Sequence, residues 1–281
     1  MIPTRVLIIG VRGMLARAWR GLLASHEIPF EALGRERLDL ERTDQVRALD
    51  VRGCSHVVNC AAWTDVDGAE AHPERARLVN AVAVGELASR CADAGTSLVT
   101  YSTDYVFNGR AHEPYTVDTP HDPVNAYGRS KAEGEALLAR SGVPWLCVRT
   151  SWVYAPWGQN FVRTIAGLAR ERPELRVVDD QRGRPTSAEG LARTTLGLLR
   201  AGATGLQHAC DGGECTWFEF AGEIAGLVGA RARVIPCTSA EFPRPAPRPE
   251  YSVLDITPTE ALVGPMIPWR LALADVVRRM E

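Results

Sequence analysis

Short runs of uninterrupted apolar residues alternate with longer segments whose apolar residues recur every three or four positions. The runs lie at residues 5–10, 28–33, 56–62, 97–102 and 145–151. Strands covered on both faces have this pattern. Residues 13–24, 74–94 and 126–141 repeat their apolar positions at helical spacing, which predicts helices. The alternation predicts an α/β fold. It is a doubly wound parallel sheet with helices on both faces, Rossmann-like because crossovers are right-handed.

Beyond residue 152 the pattern loosens. Residues 160–172, 187–202, 217–229 and 269–280 read as helices, 175–180 and 206–210 as strands, and the Pro-rich stretch 243–249 as extended. The expected organisation is a sheet domain over 1–151, with elements near 187–230 returning to it. A smaller lobe is expected from 152–186 and 231–281.

Composition narrows the class. The 281 residues carry 32 basic and 34 acidic side chains, a net charge of −2, with 46% hydrophobic and 23% charged residues. Such a chain is neither disordered nor a basic nucleic-acid coat, so no nucleic-acid partner is expected. No run approaches the roughly 18 apolar residues of a membrane span, so no membrane partner is expected either. The first residues lack a small-residue cleavage site before the first apolar run, so no signal peptide is expected. The seven cysteines are odd in number and form no CxxC pair. They are expected to be buried thiols of a reducing, cytoplasmic protein, with no metal site.

Gly10, Arg12, Gly13, Met14 and Leu15 form the link from the first strand to the first helix. Glycines there permit a tight turn and close approach of a pyrophosphate to free N–H groups at the helix start. The spacing is G-x-x-G-x-x-A, with Ala16 in the third place. After the second strand, where an acidic residue would take the ribose hydroxyls of NAD, stand Gly34 and Arg35. An arginine suits a 2′-phosphate, so NADPH is expected, with NADH possible. Arg12 adds charge there, and Asp39 and Leu40 are expected near the adenine.

Of the 32 basic residues, Lys131 is the one lysine, so arginine supplies 31. Arginine replaces lysine wherever a solvated charge suffices, but not where a compact ammonium is required. Lys131 follows Tyr127 by four positions, on one helix face. The pair lies one strand-plus-loop beyond Ser102 and Thr103. A phenol with a pKa near 10 is a poor acid–base group at neutral pH, and a nearby ammonium would favour its ionised form. Such a phenol can hand a proton to the oxyanion that forms when a carbonyl carbon is reduced. Thr103 or Ser102 would add a second hydrogen bond to that oxygen.

Taken together, the glycine turn and the Tyr127/Lys131 pair resemble the extended short-chain dehydrogenase/reductase superfamily. Segments 58–67, 102–107, 125–135, 149–154 and 180–186, then Arg248-Pro249 and Pro268-Trp269, are similar to the dTDP-4-dehydrorhamnose reductase family over nearly the whole chain. The resemblance implies a dinucleotide-binding sheet domain, a substrate-binding lobe and NAD(P)H-dependent reduction of the C4 ketone of a dTDP-6-deoxy-4-hexulose. It implies Thr103, Tyr127 and Lys131 as the catalytic trio, with Tyr127 as proton donor and Lys131 also holding the nicotinamide ribose. Ala61 and Ala62 match positions lining the cofactor. Thr64, Val66, Tyr105 and Trp152 match positions bordering the sugar, and Asn160, Arg184 and Arg248 positions facing the nucleotide diphosphate. Ala16 and Trp63 depart from the family pattern, the latter close to the expected sugar pocket. Two alternatives stay open. One is a 4-ketoreductase of another nucleotide-activated deoxysugar; the other is a non-catalytic nucleotide-binding subunit. A monomer or homodimer is expected.

Overall fold

A computed structural model describes residues 3–280. Strands β1 (Val6–Ile9), β2 (Phe30–Leu33), β3 (His56–Asn59), β4 (Ser97–Thr103) and β5 (Trp145–Thr150) form the expected parallel sheet. Its order is β10-β5-β4-β3-β1-β2, with β10 being Gly205–His208. Every neighbouring pair is parallel. The chain moves outward from β1 to β2, then crosses back to β3. The two crossovers diverge there, which opens a crevice at the carboxyl ends of β1 and β3.

Period-two alternation sends successive side chains to opposite faces. Val6, Ile8, Val58, Val99 and Val148 pack beneath helices α1 (Met14–Ser25) and α8 (Ala188–Arg200). Leu7, Ile9, Val57, Leu98 and Cys147 pack against α5 (Ala83–Ala94) and Leu138 of α6 (Ala126–Ala139). Polar bonds tie the first face. Trp19 of α1 donates to the Tyr101 hydroxyl at 2.6 Å, which donates to Thr195 of α8 at 3.2 Å.

The segment read as one helix over 74–94 is interrupted. Pro73 starts α4 (Pro73–Arg77), a π-helical turn covers Leu78–Val82, and α5 follows. Asn80, inside that turn, accepts from the Trp63 amide and donates to the Trp63 carbonyl and the Ser130 hydroxyl. Two further short helices, α2 (Thr43–Arg47) and α3 (Val66–Ala71), were not legible as helices. Segments of five or six residues barely complete one period.

The smaller lobe holds α7 (Phe161–Glu171), β7 (Glu174–Val178), α9 (Trp217–Leu227), β12 (Arg233–Cys237) and α11 (Trp269–Arg278). Minor strands β6 (Val153–Tyr154), β8 (Arg182–Gly183), β9 (Thr186–Ser187) and β11 (Cys215–Thr216) stitch it to the sheet domain. The expected return of 187–230 to the sheet needs one correction. Helix α8 and β10 do return, but α9 stays in the lobe, because Phe220, Ala221 and Ile224 pack with Val162, Leu175 and Leu273. Helix α10 (Thr257–Val263) instead packs on α8, where Val263 lies over Gly197. Strand β12 contains Pro236 and pairs only with β7; an edge position tolerates a missing N–H. Residues 243–249 form no helix or strand. They cross to the sheet domain, where Arg244 and Arg248 pair with Asp67 at 2.6 and 3.0 Å and Asn125 donates to the Pro247 carbonyl.

Helix α6 sits close to its neighbours. A Cβ at Gly128 would lie 2.1 Å from the Tyr105 carbonyl oxygen, and one at Gly134 2.2 Å from that of Asn80. Helix propensity alone favours alanine over glycine by about 1 kcal/mol, but a backbone carbonyl cannot swing aside. Gly134→Ala is therefore expected to destabilise the fold by about 2 kcal/mol. Gly167→Ala in α7, where no atom lies within 4 Å of the new methyl, should stabilise by about 0.5–1 kcal/mol. Urea denaturation of both variants checks the pair; a neutral or stabilised Gly134→Ala protein would contradict the close approach.

Candidate active site

The glycine turn leaves β1 with Gly10 at φ +98°, and a Cβ there would lie 2.9 Å from the Ala61 amide nitrogen. Only glycine accepts both the torsion and the contact. The Gly10 and Val11 amides bond the Leu33 carbonyl, which draws the end of β2 against the turn. Gly13 caps α1 with no side-chain hydrogen bond, so the first-turn amides keep their donors and the helix's positive end for an anion. Beside the turn, Gly10, Arg35, Asp39, Leu40, Ala61 and Ala62 line one cavity of about 160 Å³. Trp63 walls the same cavity, so its indole stands at this end of the crevice. It also packs near Tyr127, against Ala69, Ala76 and Ala126.

Arg35 is not a free cation. Its Nε donates to Asp39 at 3.1 Å and its Nη2 to Glu41 at 2.7 Å. The Asp39 hydrogen bond and charge hold its pKa above the ordinary value, with Glu41 adding to them. Arg12 is exposed and stands 3.8 Å from Glu36. Met14 meets the lobe: Trp157 donates to its carbonyl at 3.3 Å, and the Asn160 amide lies 3.5 Å from its sulfur. Leu15 packs beside it against the core under α1.

Thr103 ends β4 and is buried. Its hydroxyl donates to Asp104 Oδ1 at 2.9 Å and accepts from the Tyr105 amide at 3.2 Å. Helix α6, capped by Asn125 on the Gly128 amide at 2.8 Å, brings Tyr127 alongside. The Tyr127 and Tyr105 rings meet edge to face at 5.9 Å. Burial pushes the Tyr127 phenol up to about 12; the Thr103 hydroxyl opposes this and the Asp104 carboxylate adds to it. The phenol is therefore neutral across the physiological range.

One turn deeper, the Lys131 ammonium donates to the Tyr101 carbonyl at 2.6 Å. The space around it, walled by Asn80, Tyr101, Ser102, Glu135 and Cys147, is only about 10 Å³. A guanidinium is too large for it. Burial lowers the Lys131 pKa, with Cys147 and Glu135 acting in the opposite sense. The expected depression of the phenol by this ammonium is not seen. Lys131 is absent from the influences on Tyr127, whose ionisation is governed by burial first. Glu135 in turn is gripped at 2.7 Å by the equally buried Arg149 and at 2.8 Å by His121, which closes the pair off from the surface.

Asp104 was not singled out from sequence. Burial pushes its carboxyl up to about 6, opposed by the Ser252 and Thr103 hydroxyls, and its Oδ2 makes no hydrogen bond. The available signal was an acidic residue directly after a strand-end threonine in an otherwise apolar run. The remaining residues are distributed. Val66 opens α3 after the exposed Thr64. Arg248 approaches Tyr105, acting on its phenol, while held by Asp67. Three others belong to the lobe's own packing. Trp152, at φ +49°, stacks on Trp217 with centroids 3.6 Å apart. Asn160 caps α7 and donates to the Ala155 carbonyl. Arg184 donates to the Leu254 and Gly213 carbonyls. No group of three or more His, Cys, Asp or Glu side chains placed to hold a metal occurs among the described residues.

Comparison with known proteins meets this geometry. The family described as RmlD substrate binding domain matches residues 4–281. A Burkholderia thailandensis dTDP-4-dehydrorhamnose reductase is 38% identical over 295 residues, covering 98% of each chain. The chain belongs to the dTDP-4-dehydrorhamnose reductase family. A Streptomyces niveus relative named dTDP-4-keto-6-deoxy-D-glucose reductase is 40% identical, over 96% of this chain and 95% of that one. The crystal structure of a Bacillus anthracis dTDP-4-dehydrorhamnose reductase in complex with NADP superposes with a TM-score of 0.92 at 34% identity, covering 98% and 99% of the two chains. The Rossmann-like sheet and the family read from sequence therefore both hold.

Asp104 generates a pH prediction. Its ordinary pKa is 3.8 and its folded value about 6, so between these values the native state holds a proton that the unfolded chain has lost. Stability then falls as pH rises through that window. Asp104→Asn removes the penalty. Its unfolding free energy should gain on that of the wild type by on the order of 2–3 kcal/mol between pH 4 and pH 7. Parallel denaturation at the two pH values checks this, and a pH-independent difference would contradict it.

Proposed function

We propose that this protein is an oxidoreductase that reduces the C4 ketone of a dTDP-6-deoxy-4-hexulose, converting dTDP-4-dehydrorhamnose to dTDP-L-rhamnose, with NADPH as reductant. The observation that carries the reading is a buried Thr103/Tyr127 hydroxyl pair at the carboxyl edge of a parallel sheet whose first turn is an uncapped glycine cradle. The cradle fits a dinucleotide: the first turn of α1 carries no side-chain cap, and the adjoining cavity of about 160 Å³ takes a flat base. When bound, NADPH supplies the hydride that reduces the ketone carbon.

The chain's own residues do the rest. The first-turn backbone amides at Met14 and Leu15 would hold the pyrophosphate, while the Gly13 amide closes the turn on the Gly10 carbonyl at 2.9 Å. Thr103 steadies the ketone oxygen by a hydrogen bond, and Tyr127 delivers the proton to that oxygen as negative charge grows on it. A phenol kept neutral by burial is in the donor state before reaction, and developing charge beside it makes transfer favourable. Lys131 braces the underside of the site through the Tyr101 carbonyl of β4 and would hold the nicotinamide ribose of a bound cofactor. Thr64, Val66, Tyr105 and Trp152 border the sugar, while Asn160, Arg184 and Arg248 stand on the nucleotide side.

The free thiols, five of them buried, support a reducing cytoplasm. No helix among the described residues is long and apolar enough to cross a membrane. A second reading, reduction of a different dTDP-linked deoxysugar, is favoured by the Streptomyces niveus relative, whose identity matches that of the dehydrorhamnose reductases. Supplying dTDP-4-dehydrorhamnose with NADPH and assigning the product's stereochemistry separates the two, and absence of any NADPH oxidation would instead support a non-catalytic subunit.

Tyr127→Phe is expected to lower kcat by about 10²- to 10⁴-fold while leaving NADPH affinity within about threefold; a near-native rate would remove Tyr127 as donor. Lys131→Arg is expected to lose most activity and some stability, because only about 10 Å³ of free space lies beside the lysine, too little for the added bulk of a guanidinium. A fully active arginine variant would contradict that requirement.

A further inference from the structure

The ribose end of the crevice carries a charge arrangement that the reaction does not use. Arg35 is the first cation after β2, where the 2′-substituent of a dinucleotide lies in folds of this kind. It is two-thirds exposed, yet it is already engaged by Asp39 and Glu41. Glu41 also receives a second guanidinium. Arg75 of α4 donates through Nε to Oε2 at 2.9 Å and through Nη2 to Oε1 at 3.0 Å. Arg75 lies 5.2 Å over the Trp63 ring, and Trp63 walls the same cavity as Arg35, Asp39 and Glu41.

Two cations thus converge on Glu41 at the cavity wall from different elements, one from the loop after β2 and one from α4. Both are held by a single carboxylate that is itself four-fifths buried. The Arg75 hydrogen bond keeps the Glu41 carboxyl below its usual pKa, so it is ionised at neutral pH. With Asp39 included, two positive charges are matched by two negative ones. A 2′-phosphate entering here meets two guanidiniums whose charge is already balanced and whose Nε and Nη2 donors are taken by carboxylates, so each attracts it less than a free arginine would.

Resting on the reading of this site as a dinucleotide reductase, we propose that Glu41 sets the cofactor preference. It neutralises Arg35 and Arg75 together and so narrows the margin by which the protein favours a 2′-phosphorylated nucleotide over its unphosphorylated counterpart. Arg75 is then a latent phosphate ligand, three helices beyond the glycine turn in the chain but joined to Arg35 through their shared partner Glu41. Glutamine at position 41 keeps the side chain's shape and one acceptor while removing the charge. Both arginines keep a partner, and the local balance shifts by one unit toward the anion.

The test is calorimetric binding of adenosine 2′,5′-bisphosphate and of 5′-AMP, which isolate the 2′-phosphate and require no turnover. For Glu41→Gln, affinity for the bisphosphate is expected to rise about tenfold, or 1.4 kcal/mol, while that for 5′-AMP stays within about twofold. Adding Arg75→Gln to that variant should take back most of the gain. A purely structural role for the Glu41–Arg75 pair would move the unfolding midpoint and leave the ratio of the two affinities unchanged, and that result overturns the proposal. A gain that survives loss of Arg75 overturns the assignment of Arg75. If neither nucleotide binds the wild type, the dinucleotide reading itself fails along with the inference.

Discussion

The close approach of α6 to the end of β4 is the constraint on which the site depends. Two glycines make it possible, because Gly128 and Gly134 let the helix backbone lie against the Tyr105 and Asn80 carbonyls. That approach sets Tyr127 beside Thr103 and drives Lys131 under β4 to the Tyr101 carbonyl. Asn125 adds the cap and ties the start of the helix to the lobe's Pro-rich crossing segment through the Pro247 carbonyl. The π-helical turn belongs to the same arrangement. It presents the Asn80 carbonyl to Gly134 while the Asn80 side chain holds Trp63 and Ser130. A regular helix through 74–94 would not combine these contacts.

Burial outweighs charge in this site. A phenol, a carboxylate and an ammonium are enclosed within a few residues of one another, and desolvation is the first influence on all three. Each is pushed toward its neutral form, as low polarizability requires. For a proton donor this is an advantage, since Tyr127 enters the reaction carrying its proton. The cost falls on stability at neutral pH, through Asp104. Beneath α6, by contrast, Glu135, Arg149 and His121 bond one another, so burial there leaves no charge unpaired.

Much of this was legible in the sequence, for identifiable reasons. The four central strands β1, β3, β4 and β5 rest on nearly continuous apolar runs, as burial on both faces requires. The glycine turn and the lone lysine stood out because each residue type is chemically irreplaceable where it occurs. Short elements were not legible: α2, α3 and α10 are too brief to show a period, and β12 hides behind Pro236. Helix α9 was assigned to the wrong layer, since amphipathicity reveals a buried face but not what covers it. The state of Arg35 was invisible for a related reason. Its ion partners include Glu41, which also holds Arg75, 34 positions further on, and no local pattern announces such a convergence. Likewise the direction of the Tyr127 shift depends on enclosure, which spacing along a helix does not report.

The most direct test follows an isotope. With NADPH deuterated at its transferable position and dTDP-4-dehydrorhamnose as substrate, NMR of the product should place one deuterium per molecule on C4 of the sugar, and Tyr127→Phe should form about 10²-fold less of that product, or lower still, in the same time. Deuterium at any other sugar carbon, or unlabelled product formed at the wild-type rate, would contradict the account.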